Sequence, residues 1–380
     1  MYSTFLVIFL ISVTLVYILA RISVRKSNVN RLHVSLPLIL SFLIMGLFIG
    51  MREYVGRDFN TYLELYSTVS LDDFGLHERF KIEYNYLLLV SFCRWLDFEA
   101  SSFFILSSLI IVGFFYNLYK IYPNLLPMGI VIFFFCFPYG FAINGIRQCI
   151  AIFAFLNASV YLDNDYRCKN RFIKYFLWLL MGGLFHSFTI LFLPLYWVFR
   201  WNILSRLTNR HLYIVSLSGV VINLLGLASI LILTSSTLST YISFLNYLQD
   251  DRFVIESGGI GVASLVSIFC YMVVLSKYKQ ITQENPRLRI YFLLFSIGIC
   301  FYYMFPGNMM VERVSYYFLF SEVIVLPAFV RYAFMSRNIL LRILGMFIIF
   351  WLIFMFFYDL PIFFDGHMQI RSSIFNIELI

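Results

Sequence analysis

The chain has 380 residues, of which 61% are hydrophobic, 20% aromatic and 13% charged. Soluble domains carry about a quarter charged residues, so this composition excludes an ordinary water-facing globular domain. The net charge of +8 would suit nucleic acid, but the basic residues sit in short loops between apolar runs, where they set membrane topology. No nucleic-acid partner is expected.

The chain opens with "MYSTFLVIFLISVTLVYILARISVRK", which lacks a basic leading region and a small-residue cleavage site. It reads as a retained first span near residues 3–20. Further apolar runs of spanning length fall near 34–51, 101–119, 127–143, 148–162, 211–233, 259–276, 288–305, 312–331 and 339–358. The stretch 172–199 is too long for one ordinary span and is divided by "GGLFHS", which predicts two short helices or a re-entrant pair. The segment "YNYLLLVSFCRWL" at 84–96 is short and carries Arg94, so it is interfacial, re-entrant or a tilted span. The expected fold class is all-α: a polytopic integral membrane helical bundle with about 11–13 transmembrane segments. Residues 1–380 form a single membrane-embedded domain on this reading. Cys93, Cys136, Cys149, Cys168, Cys270 and Cys300 lie singly, with neither metal-ligand spacing nor a disulfide framework. No metal or cofactor is expected.

Five basic loops, at 21–31, 163–174, 200–211, 276–289 and 331–342, can all lie in the cytoplasm if 172–199 crosses twice and 84–96 does not cross. That arrangement gives about twelve crossings with both termini outside. The outer face then holds the loop 52–83, the turn 140–147, the break at His186, the loop 234–258, the turn 305–313 and the tail 359–380. Arg52, Arg57, Arg147, Arg252, Arg313 and Arg371 fall there. The positive-inside rule does not explain them.

"GRDFNTYLELY" places Asp58, Tyr62, Leu65 and Tyr66 at helical spacing, and "TYLE" resembles a capping box from Thr61 to Glu64. An interfacial amphipathic helix capped by Asp58 or Asn60 accounts for most of it, but not for the adjacent Arg57 and Asp58. "NGIRQCIAIFAF" puts Arg147 and Gln148 at the outer start of an otherwise uncharged span. The arginine either snorkels to headgroups or faces inward as an anion site aided by the helix dipole. His186 lies at membrane depth beside paired glycines and Ser187, either as a hydrogen-bonded structural residue or as a base or phosphate donor. Glu312 and Arg313 sit at the mouth of another span, as a closing ion pair or a site, and Asp365, His367 and Arg371 follow in the tail.

The order "GRDFNTYLELY", "EYNYLL", "NGIRQCIAIFAFLNASVYL", "HSFTILFLPLYWVF" and "ERVSYYFLF" resembles the EpsG-like family of Wzy-type polysaccharide polymerases, from about residue 50 to the tail. The family's usual Gly-x-Asp-Tyr pattern appears here with Phe59 in place of the tyrosine. The resemblance implies a GT-C-like, metal-independent glycosyltransferase of the bacterial inner membrane that polymerises O-antigen or capsular repeat units on the periplasmic face. Its donor and acceptor would both be undecaprenyl-diphosphate-linked oligosaccharides, with membrane lipid around it and a chain-length regulator protein as a candidate partner. Arg57, Arg147, Gln148 and Arg313 would then bind diphosphate, since guanidinium forks onto phosphate oxygens and does not deprotonate. Asp58, His186 and Glu312 are the candidates to orient or deprotonate the acceptor hydroxyl, His186 being favoured because neighbouring arginines keep the carboxylates ionised. Tyr62, Tyr66, Tyr316 and Tyr317 would hold the sugar.

A flippase for the same lipid-linked units should show internal repeats and midplane polar residues, and neither is evident. An O-antigen ligase would share the lipid donor and outer arginines. A membrane acyltransferase would carry its acidic and histidine residues on the acyl-CoA side.

Overall fold

A computed structural model describes residues 2–26, 32–52, 56, 58–68, 83–164, 166, 168–227, 261–305, 309–364, 370–372 and 377–379. The described residues are almost entirely helical, as expected, apart from a short antiparallel ladder in which Ile370–Ser372 pairs with Ile377–Leu379. The loop 234–258, Arg57, Asp365 and His367 lie outside the described residues, as does the Arg371 side chain.

In chain order the helices are α1 Tyr2–Lys26, α2 Leu36–Gly50, α3 Phe59–Thr68, α4 Tyr84–Trp95, α5 Ala100–Leu118, α6 Leu126–Phe135, α7 Phe137–Ile143, α8 Ile146–Ser159 and α9 Arg171–Gly183. After a 3-10 turn at Ser187–Phe192 come α10 Leu195–Phe199, α11 Asn209–Leu224, α12 Val262–Ser276, α13 Tyr278–Glu284, α14 Arg289–Met304, α15 Met309–Leu319, α16 Glu322–Met335 and α17 Ile339–Phe364. Four stretches are long and apolar enough to cross a bilayer: Leu6–Arg25, Ala100–Ile121, Pro286–Met304 and Ile339–Tyr358. Counting three bent pairs as single spans raises the number to seven among the described residues. This is a multi-pass membrane protein.

Among the described residues, other expected runs fold as shorter apolar helices, such as Leu36–Gly50 and Ile146–Leu162, or as broken ones. Residues 127–143 are split into α6 and α7, bent by 63°. Cys136 is extended between them and Pro138 lies in the first turn of α7, where its missing N–H and fixed φ favour a new first turn over a continued helix. The α15–α16 pair is bent by 42°. The expected division of 172–199 is present, since α9 ends at Gly183 and a 3-10 turn begins at Ser187. A Cβ on Gly182 would lie 3.0 Å from Thr189 Cγ2 and 3.1 Å from Ala154 Cβ, so a larger side chain would push the turn off α8. The segment 84–96 is α4, whose twelve residues reach about 18 Å, too short to cross.

Contacts gather the chain into two compact units, one of residues 1–161, 169–196 and 349–380, the other of 162–168 and 197–348. In the first unit α8 is the central helix, with every residue but Arg147 buried. Small and polar residues bring its neighbours close, as membrane helices require where lipid offers no hydrophobic drive. Gly50 lets α2 approach the Ile105 backbone of α5. Ser41 Oγ donates to the Val16 carbonyl at 3.0 Å and lies 2.6 Å from the Tyr116 hydroxyl, joining α1, α2 and α5. Asn157 of α8 donates to the Phe114 carbonyl at 2.9 Å and accepts from Asn117 at 2.6 Å, tying α8 to α5. Phe9, Phe134, Phe135, Tyr139 and Phe356 pack into an aromatic cluster that joins α1, α6, α7 and α17. In the second unit, Gly219 of α11 faces the Cys300 carbonyl of α14 so closely that no Cβ fits.

Candidate functional site

Residues 52 and 56 and the segments at 58–68, 83–86, 142–149 and 186–187 converge in the first unit. Gly56 adopts φ +99°, a conformation that strains any side chain. A Cβ there would sit 2.7 Å from the Ile143 carbonyl oxygen and 2.8 Å from Asn144 Oδ1. A glycine therefore lets the entry to α3 lie against the joint between α7 and α8. The Asp58 carbonyl accepts from the Tyr62 N–H at 3.0 Å, which makes Asp58 the N-cap position. The expected capping box from Thr61 to Glu64 falls inside the helix, with both residues exposed. The amphipathic reading holds: Phe59, Tyr62 and Leu65 are buried, and Phe59 stacks on Phe104 of α5 at 4.9 Å.

Arg147 lies in the first turn of α8. Its Nη1 donates to Glu83 Oε2 at 2.5 Å, and its guanidinium sits over the Tyr86 ring, 5.5 Å from the centroid. Glu83 Oε1 in turn accepts from the Ser187 backbone N–H at 3.1 Å. One carboxylate thus joins the start of α4, the start of α8 and the break after His186. The Asn85 N–H reinforces this by donating to the Leu184 carbonyl at 3.1 Å.

Arg52 is buried, 6% exposed, with Nη1 donating to the Ala142 carbonyl at 3.0 Å and the guanidinium 5.1 Å from the Phe104 centroid. Burial lowers it to about 10 from its ordinary value, against the opposing pull of Tyr62, Tyr139, Tyr86 and Cys149. It remains a cation at neutral pH. Burial pushes the Tyr62 hydroxyl up, while Arg147 and Arg52 pull it down and Asp58 adds to the rise. Tyr62 and Tyr86 lie with ring centroids 5.7 Å apart, and both feel both arginines. The group sets two arginines and two carboxylates, Glu83 and Asp58, among tyrosines at a helix N-terminus, and its guanidiniums and helix end are groups that can receive an oxyanion.

Of the residues expected from the sequence, Asp58, Tyr62 and Arg147 come together here. Gln148 is buried in the same first turn. His186 is half-buried, its backbone N–H donating to the Gly182 carbonyl at 2.8 Å and its carbonyl accepting from Thr189. Tyr66 points elsewhere: its hydroxyl donates to the Phe98 carbonyl at 2.5 Å, beside Arg94, whose Nη1 donates to the Ser67 carbonyl at 3.2 Å. Glu312, Arg313, Tyr316 and Tyr317 belong to the second unit. There Glu312 is half-buried, Arg313 exposed and Tyr317 fully buried. Tyr316 is half-buried, its ring 6.4 Å from Tyr302. Sequence reasoning singled out Arg52 only as an unexplained arginine and overlooked Glu83 and Tyr86. Their signal was present in "EYNYLL", where an acid stands directly before an apolar helix. Among the described residues no group of three or more His, Cys, Asp or Glu could hold a metal ion.

A sequence model of the EpsG family matches residues 35–363. No curated protein and no solved structure matches the chain.

Proposed function

Because the chain belongs to the EpsG family of polysaccharide-polymerase-like membrane proteins, we propose that it is a Wzy-type polymerase of O-antigen or capsular repeat units. It transfers a growing glycan from one undecaprenyl diphosphate to the repeat unit on a second carrier, at the periplasmic face of the bacterial inner membrane. The observation that carries the reading is Arg147, a half-buried guanidinium in the first turn of α8, poised by Glu83 and Tyr86.

The reaction breaks the bond between the anomeric carbon and the diphosphate oxygen and forms one to an acceptor hydroxyl oxygen. The departing diphosphate gains negative charge, which arginine and a helix N-terminus stabilise best when already in place. Arg147 takes this role, with Gln148 beside it and Arg57 and Arg313 as further candidates. The acceptor proton passes to a base, for which His186, Asp58 and Glu312 are the candidates. His186 is favoured because neighbouring arginines keep the carboxylates ionised, and it directly precedes Ser187, whose N–H meets Glu83. Tyr62, Tyr66, Tyr316 and Tyr317 are the candidates to hold sugar rings. Lipid tails enter between apolar helices.

Incubating purified protein with synthetic undecaprenyl-diphosphate repeat units, with EDTA and with Arg147→Ala in parallel, tests this. A ladder of lengthened glycans that survives EDTA and disappears with Arg147→Ala is the expected result. No ladder from folded protein across several repeat units would overturn the polymerase and favour a ligase or a flippase. A ladder indifferent to Arg147→Ala would overturn the site.

A further inference from the structure

Arg52 is enclosed by protein, and a buried cation is ordinarily retained with a counter-charge. The largest electrostatic influences on it come from Tyr62, Tyr139, Tyr86 and Cys149, none of them a carboxylate. Its Nη1 serves the Ala142 carbonyl near the end of α7, which is a structural task. Nε and Nη2 have no hydrogen-bond partner. These two nitrogens form the side-on edge of the guanidinium, which engages two oxygens of a phosphate or carboxylate at once. The Tyr86 hydroxyl is also fully buried and without a partner, and the Arg147 guanidinium lies over the same ring. Three unused donors therefore gather beside a second cation, Arg147, whose own carboxylate partner is Glu83.

We propose that the Nε–Nη2 edge of Arg52 and the Tyr86 hydroxyl bind the diphosphate group of the lipid carrier alongside Arg147. The inference rests on the diphosphate reading above and adds to it two residues and a direction of approach. Arg52 Nε and Nη2 are out of contact with solvent, so the headgroup reaches them only when the aromatic side chains around them part. Tyr62 and Phe104 are the ones in place to do so.

The test is binding of farnesyl diphosphate to the full-length protein in nanodiscs, by fluorescence titration, with inorganic pyrophosphate as a competitor. Tyr86→Phe removes one unpartnered hydroxyl, so it leaves the melting temperature unchanged and weakens binding by about tenfold, as loss of one hydrogen bond to a charged group does. Arg52→Lys keeps the charge and loses the fork, with a loss of at least that size. Competition by pyrophosphate in the wild type and its weakening in both variants assigns the contact to the headgroup rather than the tail. Wild-type affinity in Tyr86→Phe, or in a folded Arg52→Lys, would overturn the inference while leaving the diphosphate site at Arg147. No binding by the wild type would overturn both.

Discussion

Replacing Glu83 with Gln keeps the shape of the side chain and removes its charge, and the consequences can be worked out from the contacts it makes. Glu83 accepts two hydrogen bonds, from Arg147 Nη1 and from the Ser187 N–H, with the pair's side chains 30% (Arg147) and 14% (Glu83) exposed. Hydrogen bonds to charged groups contribute about 1.5–3 kcal/mol, and the partial exposure of Arg147 places this pair toward the lower end. Glu83→Gln should therefore cost about 2 kcal/mol of stability. In a cycle with Arg147→Gln the coupling energy should be about 1–3 kcal/mol, as for residues in one network. The same change should tighten anion binding, because a negative charge beside the guanidinium has gone. For a unit charge about 6 Å away at an effective dielectric near 20, the Coulomb relation gives roughly 3 kcal/mol before screening. Thermal and denaturant unfolding of the four proteins, followed by tryptophan fluorescence, measures the coupling, and pyrophosphate titration measures the affinity. Coupling below about 0.5 kcal/mol, the usual error of additivity, would refute the view that Glu83 holds Arg147 in place. Stability and affinity falling together would refute the view that Glu83 competes with the anion.

Two other outcomes are expected. Arg52→Met removes a buried cation whose folded-state value is lowered to about 10, so the folded state binds its proton less tightly than the unfolded chain. That cost to stability is fully present below about 10 and is relieved as the pH rises from there toward the unfolded value. Unfolding of the two proteins across pH should show any stability gain of Arg52→Met constant near neutrality and shrinking above about pH 10. Gly56→Ala places a Cβ against the Ile143 carbonyl at a positive φ, at a cost of about 1–3 kcal/mol. It should lower the melting temperature and polymer yield together, and an unchanged yield would disprove the role given to the α3 entry.

Much of the fold was legible because membrane helices announce themselves through local properties. A run such as 101–119 needs only apolar length to become α5, and "GGLFHS" needs only its glycines and polar atoms to interrupt a helix. The number of crossings was less legible, since hydropathy does not register a bend such as that between Phe135 and Phe137. The start of α3 was legible too, since Asp58, one of the two caps that the pattern offered, holds the N-cap position before Phe59.

The sequence by itself determined that the chain crosses a membrane several times, that α3 is amphipathic, and that Arg147 stands at the head of an uncharged helix. These follow from composition, periodicity and the local cost of burying charge, which act within a few residues. Only the tertiary structure decided that Glu83, Arg147 and the Ser187 N–H share one contact, and that Tyr66 turns away to the Phe98 carbonyl. It also decided that Arg52 is enclosed with two of its nitrogens unpartnered. The physical reason is range: a carboxylate finds its guanidinium across 64 residues because helix packing brings them together, and no spacing along the chain encodes that meeting.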